Sequence, residues 1–308
     1  MPPVKRFDIL GLGAVAVDDL LYVAAYPPPD GKQQVIDRDR QCGGLSATAL
    51  VTAARLGARC AYAGVLGDDE LSAFVLNRLR EAGVETSCVQ RRPGARPVHS
   101  SIVVDRQHGT RNIFFDLEGV TGAGTRTPAS LITSARVLFV DNIGVPGMVR
   151  AARLARRAGI PVVADFDDHR HPQFEQLLAL ADHLIISEEF AGRLTGTQSP
   201  EHAIRKLACP DRQVTIVTCG DKGCWYLARG ASAVQYQPAF KVKAVDTTGC
   251  GDVFHGAYAF ALANGMPIEA QIRFAAATAA LKATRAGGQA GIPSLTAVRR
   301  FMRRECNC

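Results

Sequence analysis

The chain has 308 residues, 47% hydrophobic, 21% charged and 6% aromatic, with Lys and Arg exceeding Asp and Glu by 36 to 29 for a net charge of +7. This composition excludes a disordered or fibrous protein and leaves room for one large α/β domain or two smaller ones. The basic clusters Arg153-Arg156-Arg157 and Arg299-Arg300-Arg303-Arg304 fall in helix-like segments without interleaved aromatics, which argues against a nucleic-acid surface, while the surplus positive field favours anionic small molecules.

No apolar run approaches the roughly 20 residues of a membrane span. Met1 to Arg6 leads straight into a strand rather than the apolar stretch of a signal peptide. The nine cysteines include no C-x-x-C pair, an arrangement that points away from a disulfide framework or zinc site and toward a reducing cytoplasm.

The first strand begins at Phe7. Gly11-Leu12-Gly13-Ala14-Val15-Ala16 then fits the dinucleotide fingerprint G-x-G-x-x-A. That fingerprint requires a helix next, whereas Val17 to Val23 reads as more strand and ends at Pro27-Pro28-Pro29, so a nicotinamide-dependent oxidoreductase is set aside. Lys32 to Arg38 reads as another short strand, the Ala-rich run after Gly43-Gly44 as a helix stopping near Leu56, Ala61 to Leu66 as a strand, and Leu71 to Ala82 as a helix. Val98 to Val104 and Thr110 to Phe115 form a predicted hairpin. Together, segments from about 17–40 and 98–116 predict a small sheet separate from the main fold.

From Val137 strands and helices alternate: strands start at Val137, Ile160, His183 and Gln213, and helices at Met148, Gln173, Phe190 and Glu201. Such alternation implies a parallel sheet with helices on both faces. Asp165, Asp167, Asp168, His169 and His171 crowd one loop; without a regular ligand spacing they read as a polar strand-end loop rather than a metal site. Thr218 to Gly223 reads as a turn into a strand at Cys224, Ile268 to Thr284 as a long Ala-rich helix, and Pro293 to Arg304 as a closing helix.

The most informative stretch is Asp246-Thr247-Thr248-Gly249-Cys250-Gly251-Asp252, followed by the apolar helix Val253-Phe254-His255-Gly256-Ala257. A Gly-rich turn that opens a helix leaves several amides without intrahelical partners, and the helix dipole makes them attractive to an anion. A carboxylate at the rim of such a hole is a poor phosphate ligand by itself. It makes sense as a base that takes a hydroxyl proton while the amides hold a phosphoryl group.

This run, D-T-T-G-C-G-D, resembles the signature D-T-x-G-A-G-D of the ribokinase-like (PfkB-type) carbohydrate kinases, and the resemblance extends over about Phe7 to Phe301. The wording from Gln237 to Pro293, including G-G-Q-A-G-I-P, is similar to the sulfofructose kinase branch. The resemblance implies a three-layer α/β sandwich with a mostly parallel central sheet, a small β-sheet lid, and one kinase domain over residues 1–308. It further implies an enzyme that moves the γ-phosphate of ATP to a sugar hydroxyl, in the cytoplasm, as a homodimer joined through the lid. By the same resemblance Asp252 is the catalytic base, and Gly249, Cys250 and Gly251 form the anion hole.

The other roles are carried over in the same way. Asp18, five residues beyond Gly13, with Gly43, Gly44 and Thr48, would hold the sugar; the family pattern G-G-x-x-A-N has Asn where this chain has Thr48. Thr218, Gly220 and Gly223 match T-x-G-x-x-G along the nucleotide, and Ser187 stands at the first position of N-x-x-E, the element that organises hydrated Mg²⁺. Phe190 takes the Glu position, which leaves Glu188 or Glu189 as substitutes. Asp246 and Thr248, with the carbonyls of Gly287-Gly288, correspond to a monovalent-cation site for an ion such as K⁺. Cys250 stands where the family has Ala; a thiol at a helix N-terminus can have a lowered pKa, but a passive small residue is the first reading. The departure at Ser187–Phe190 motivates the alternative of a non-catalytic sugar- or nucleotide-binding protein, and a nucleoside is the other acceptor class. An acidic sugar would need convergent cations; the loop Asp141–Gly147 has none, leaving Lys32 and Arg111 as donors from the lid, so a generic ketose or other sugar ranks above sulfofructose.

Overall fold

The computed structural model describes residues 5–305; Cys306 and Cys308, expected to lie in a frayed tail, fall outside them. A large sheet runs in the order Gln235–Gln237, Cys224–Ala228, Val214–Thr218, His183–Ser187, Val162–Asp165, Ala135–Val140, Phe7–Gly11, Cys60–Tyr62, Val84–Glu85. From Val84–Glu85 to Val214–Thr218 every neighbouring pair is parallel, and the last two strands add antiparallel. These strands are short apolar runs such as Val137–Val140 and Leu184–Ile186, buried throughout, as expected for strands covered on both faces.

Two separate cores lie against the sheet. One packs the helices Leu45–Arg55, Glu70–Glu81, Cys250–Ala263, Ile268–Ala283 and Leu295–Glu305 on one face. The other packs Val145–Arg157, Phe174–Leu180, Glu188–Thr195 and Pro200–Leu207 on the opposite face. The expected three-layer architecture follows. Strand order reverses beside Phe7–Gly11, which has Cys60–Tyr62 on one side and Ala135–Val140 on the other, and open α/β sheets bind ligands outside the carboxyl ends of their strands at such a reversal.

The small sheet is also present, in the order Val35–Gly43, Ala16–Val23, Val98–Asp105, Thr110–Asp116. Its outer pairs are antiparallel and its central pair is parallel. Two boundaries differ from expectation. The strand expected at Lys32–Arg38 runs over Val35–Gly43, because it pairs with Ala16–Val23 down to Ala16 opposite Gly43. The expected strand Ala61–Leu66 divides into Cys60–Tyr62 in the large sheet and Val65–Leu66 in a two-stranded one. The break falls at Gly64, where an added Cβ would lie 2.0 Å from the hydroxyl oxygen of fully buried Tyr62, so the chain turns over that ring.

Candidate active site

The Gly-rich turn behaves as its composition dictates. Gly249 has φ 71° and ψ 10°, a left-handed conformation, and the helix begins at Cys250. Cys250, Gly251 and Asp252 therefore form its first turn; the Cys250 amide donates to the Thr247 carbonyl at 3.1 Å, while the Gly251 and Asp252 amides lack intrahelical acceptors. The start of this helix faces the carboxyl ends of the central strands, and His255, one turn further on, fixes it there. Its ring nitrogens lie 2.8 Å from the Gly251 carbonyl oxygen and 3.0 Å from that of Ile185. Asp165, at the end of its strand, lies beneath the same turn. Its Oδ2 is buried without a hydrogen bond, 3.3 Å from His255 Nδ1.

Asp252 is recessed beside these groups. Burial and the neighbouring Asp165 carboxylate push its pKa well above the usual carboxylate range, while His255 pulls in the opposite direction. Its Oδ2 lies 3.7 Å from the position a side-chain carbon on Gly249 would take, and Thr48 Cγ2 lies 3.6 Å from that position. The helix Leu45–Arg55 thus brings Thr48 up to the Gly249 turn. Thr48 is buried, and its hydroxyl accepts a 3.3 Å hydrogen bond from Gln289 Nε2. The amide that Thr48 lacks relative to Asn is thereby restored to this corner from a distant part of the chain.

On the other side of the turn is a cavity of about 560 Å³. Its lining includes Cys250 and Gly251, with Thr218, Gly220 and Gly223 at one wall and the apolar residues Phe240, Val242, Phe254, Ala276 and Ala280 at another. The predicted nucleotide element is therefore adjacent to the predicted anion hole. Gly223 has φ 97°, and a Cβ there would lie 2.3 Å from the Gln237 carbonyl oxygen, so this turn requires glycine for close passage of the neighbouring chain.

The small sheet closes over the opposite side. Arg111 Nη1 donates to Thr248 Oγ1 at 2.8 Å, and the Gly288 amide donates to Gln41 Oε1 at 3.4 Å. Asp18 points inward: burial pushes its pKa up, while Ser100 and Arg111 pull it down. The glycines at positions 43 and 44 also leave room for neighbouring parts of the protein itself. A Cβ on Gly43 would lie 2.4 Å from Asp18 Oδ2, and one on Gly44, at φ 93°, would lie 2.7 Å from the Ala14 carbonyl oxygen. They allow the lid carboxylate and the incoming strand to approach the helix.

Residues 11–295 match the model of the pfkB family carbohydrate kinases. The chain belongs to that family. Consistent with membership, this pfkB kinase is 30% identical to ribokinase of Bacillus subtilis over 305 residues, 96% of this chain and 99% of that one. It is 30% identical to fructokinase-1 of Oryza sativa subsp. japonica over 288 residues, 84% of this chain and 88% of that one. Among solved structures, Thermotoga maritima ribokinase superposes with a TM-score of 0.84 at 26% identity, covering 96% of this chain and 99% of that one. Arabidopsis thaliana ribokinase complexed with ribose and ATP superposes at 0.87 and 22% identity, covering 98% and 99%. The pfkB chain is accordingly an ATP-dependent phosphotransferase acting on carbohydrate, with the ribokinase-like fold.

Some expected side chains are committed elsewhere. Ser187 caps the helix Glu188–Thr195 by accepting from the Phe190 amide at 3.1 Å, and it is absent from the cavity lining. Glu189 pairs with Arg193, and Glu188 lies 3.5 Å from Lys222 Nζ. Phe190 is buried against Phe174 and His169, which explains why the helix carries an aromatic residue there. Lys222 is engaged with Glu188 rather than reaching into the cavity. At Cys250 burial pushes the thiol pKa up despite the pull of Lys282, and Sγ lies 3.6 Å from the Ala279 carbonyl oxygen. The crowded acidic loop divides its members as well: Asp168 pairs with Arg170, and His171 Nδ1 accepts from the Gln173 amide. Among the described residues no group of three or more His, Cys, Asp and Glu side chains is arranged to hold a metal ion, seven cysteines are free thiols, and no helix is long and apolar enough to cross a membrane.

Proposed function

We propose that Asp252 is the general base for transfer of the γ-phosphoryl group of ATP to a sugar hydroxyl. The supporting observation is the geometry at Gly249. Asp252 and Thr48 flank this residue on one side, while Cys250 and Gly251 line a nucleotide-sized cavity on the other. An acceptor beside Asp252 and a phosphate at the Gly251 amide would then be separated by a single turn of backbone. Phosphoryl transfer needs an in-line acceptor, neutralisation of charge and a dry site, with little covalent chemistry by the protein.

In this reading Asp252 takes the hydroxyl proton, and its upward-shifted pKa makes it a stronger base than a solvated carboxylate. The Gly249–Gly251 amides stabilise charge on the moving phosphoryl group. Asp18, Thr48 and Gln289 hold the acceptor, and Gly43 and Gly44 set how close Asp18 can come. Thr218, Gly220 and Gly223 hold the nucleotide. Arg111 and Gln41 keep the lid down, excluding water that would otherwise compete as acceptor.

Mg²⁺ bound to the ATP phosphates would neutralise their charge. Glu188 and Glu189 do not fit as its ligands, since each faces a basic partner. Asp165 and Asp167 stand nearer the turn: they raise the Asp252 pKa by like-charge repulsion, and Asp165 Oδ2 accepts no hydrogen bond although His255 Nδ1 lies 3.3 Å away. A few carboxylates that repel one another favour a hydrated cation arriving on its substrate. The names fructokinase and ribokinase among the relatives favour a ketohexose or pentose acceptor.

The test is ATP consumption with a panel of pentoses, ketohexoses and nucleosides, repeated for Asp252→Asn. Turnover should fall about 10²-fold or more in the variant, with ATP binding retained by calorimetry; near-normal turnover would remove Asp252 from the role.

The chain is further proposed to work as a single kinase domain over residues 1–308 and as a homodimer joined through the lid. The edge strand Thr110–Asp116 is exposed throughout and carries Ile113, Phe114 and Phe115 at 49%, 55% and 65% exposure. An unpaired strand edge bearing such an apolar patch invites a partner surface. Light scattering should give a dimer for the wild type and a smaller species for Phe114→Asp; a wild-type monomer at micromolar concentration would refute the assembly.

A further inference from the structure

Lys282 occupies the Ala-rich helix Ile268–Ala283, and its side chain is 0% exposed. A lysine is almost never so placed unless its ammonium is matched by nearby oxygens. Nζ donates to the Asp246 carbonyl oxygen at 2.9 Å and lies 3.9 Å from Asp246 Oδ1. Further along the chain, Lys282 Cε lies 3.3 Å from where a Cβ on Gly291 would sit, and the carbonyl oxygens of Gly287 and Arg285 lie 2.9 and 3.1 Å from the same position. The side chain therefore ends between the turn 246–248, whose Asp246 carbonyl accepts its ammonium, and the loop 285–291.

This is the corner where the sequence led to the expectation of a monovalent cation bound through Asp246 and Thr248. The groups present do not fit a separate ion. Asp246 Oδ1 accepts the Thr248 amide at 2.8 Å and Oδ2 accepts the Gly287 amide at 2.8 Å, so each carboxylate oxygen already has a donor. The adjoining carbonyl oxygen accepts the ammonium. An alkylammonium carries the same charge as K⁺ and makes comparable contacts with oxygen, but here it is covalently tethered. A second cation beside it would meet like-charge repulsion in a buried setting.

We propose that Lys282 is a built-in replacement for a soluble monovalent cation. It ties the turn 246–248 to the loop 285–291 and thereby positions the Gly249–Gly251 amides, which makes the enzyme independent of K⁺. Lys282 is a positioning residue: it acts through the turn rather than by touching substrate. The proposal depends on the kinase reading of those amides only for its effect on rate, because ion binding can be measured without turnover.

The experiment compares KCl with tetramethylammonium chloride at equal ionic strength, reading both ATP turnover and the thermal midpoint. Wild-type rates should agree within about 2-fold, and the midpoints should coincide. Lys282→Met retains the apolar stem and removes the charge. In tetramethylammonium chloride it should lose about 10-fold or more in turnover, and KCl or NH4Cl should restore it. Its midpoint should rise by about 3 °C in KCl, the signature of an ion binding only the folded form. A wild type whose turnover or midpoint rises specifically with K⁺ overturns the proposal, and this measurement decides the matter if Lys282→Met does not fold. A folded variant that no small cation rescues in either readout also overturns it. A wild type that consumes no ATP with any acceptor sinks the kinase reading, while the two midpoints still decide the cation question.

Discussion

Gly256 lies one turn beyond Asp252, at the crossing of the helices Leu45–Arg55 and Cys250–Ala263. A Cβ there would lie 2.2 Å from the Ala49 carbonyl oxygen and 2.8 Å from Thr52 Cβ. The closest atom belongs to helix backbone, so no rotamer change can relieve the clash; the helices must separate by roughly 1 Å to restore ordinary contact. Overpacking of this kind costs about 1–3 kcal/mol, while Ala is favoured over Gly in a helix interior by about 1 kcal/mol. Because the clash is with main chain, Gly256→Ala should be destabilised by about 2 kcal/mol net. The separation has a functional consequence. Thr48 precedes Ala49 on one helix and Asp252 lies on the other, so the acceptor corner opens by the same distance, and turnover should fall about 10²-fold. Gly192→Ala is the control: it lies inside the helix Glu188–Thr195, where the added carbon meets only the Thr197 carbonyl oxygen at 3.4 Å, and it should be neutral or stabilising by about 0.5 kcal/mol. Urea midpoints and steady-state turnover test both variants. A Gly256→Ala enzyme as stable and active as Gly192→Ala would refute the claim that this helix contact positions the site.

The half-buried thiol of Cys250 should react with iodoacetamide at pH 7.5 more slowly than the exposed thiol of Cys209, as read by mass spectrometry of the labelled peptides; faster labelling of Cys250 would mean that the helix N-terminus outweighs burial. Removing the amide that reaches the acceptor corner, as in Gln289→Ala, should raise the sugar KM severalfold while ATP affinity holds, and an unchanged sugar KM would exclude Gln289 from the corner. His183 is buried, with Nδ1 2.8 Å from the Tyr258 hydroxyl, and burial lowers its pKa to about 4. The unfolded chain, with an ordinary histidine pKa near 6.5, therefore binds the proton first, so this contribution to stability is present above about pH 6.5 and is lost as pH falls toward 4. It amounts to about 3 kcal/mol. The stability difference between wild type and His183→Gln should shrink over that interval in urea titrations, and a constant difference would show that His183 does not carry the effect.

What could be read from the amino acids divides along physical lines. The parallel sheet was legible because strands buried on both faces need unbroken apolar runs, and helices between them need a different period. That a helix follows the Gly-rich turn was legible, because glycine readily adopts the left-handed conformation of Gly249; the helix starts at Cys250, three residues before the expected Val253. Gly43 and Gly44 were expected to hold the sugar, and the structure adds a second demand for small residues there. A pair of glycines says that something approaches closely, not what approaches, and here it is Asp18 and the Ala14 carbonyl. Ser187 and the following Glu188 and Glu189 carry structural contacts that the sequence did not show. Their chemistry suits a metal site, but one caps a helix and the others have Lys222 and Arg193 within reach. Such partners are distant in sequence or lie on the far side of a turn, so residue type alone cannot assign them.

Lys282 and Gln289 were missed for a related reason, and they left different traces. A single lysine within the run Phe274 to Ala283 is conspicuous against otherwise small or apolar neighbours, and a charge at a core position demands a partner. The partner, Asp246, is 36 positions earlier, on the turn that the sequence had already marked as acidic and cation-seeking. Had the two demands been set against each other, an acidic turn needing a cation and a buried cation needing oxygens, each would have answered the other without an external ion. Gln289 left no such trace. It is one polar side chain in a Gly- and Ala-rich loop, and only the 241-residue closure onto Thr48 gives it meaning. Sequence reasoning can therefore find an unpaired buried charge, because the energetic penalty is visible in one residue, but not a neutral hydrogen bond whose absence would cost little where water can replace it.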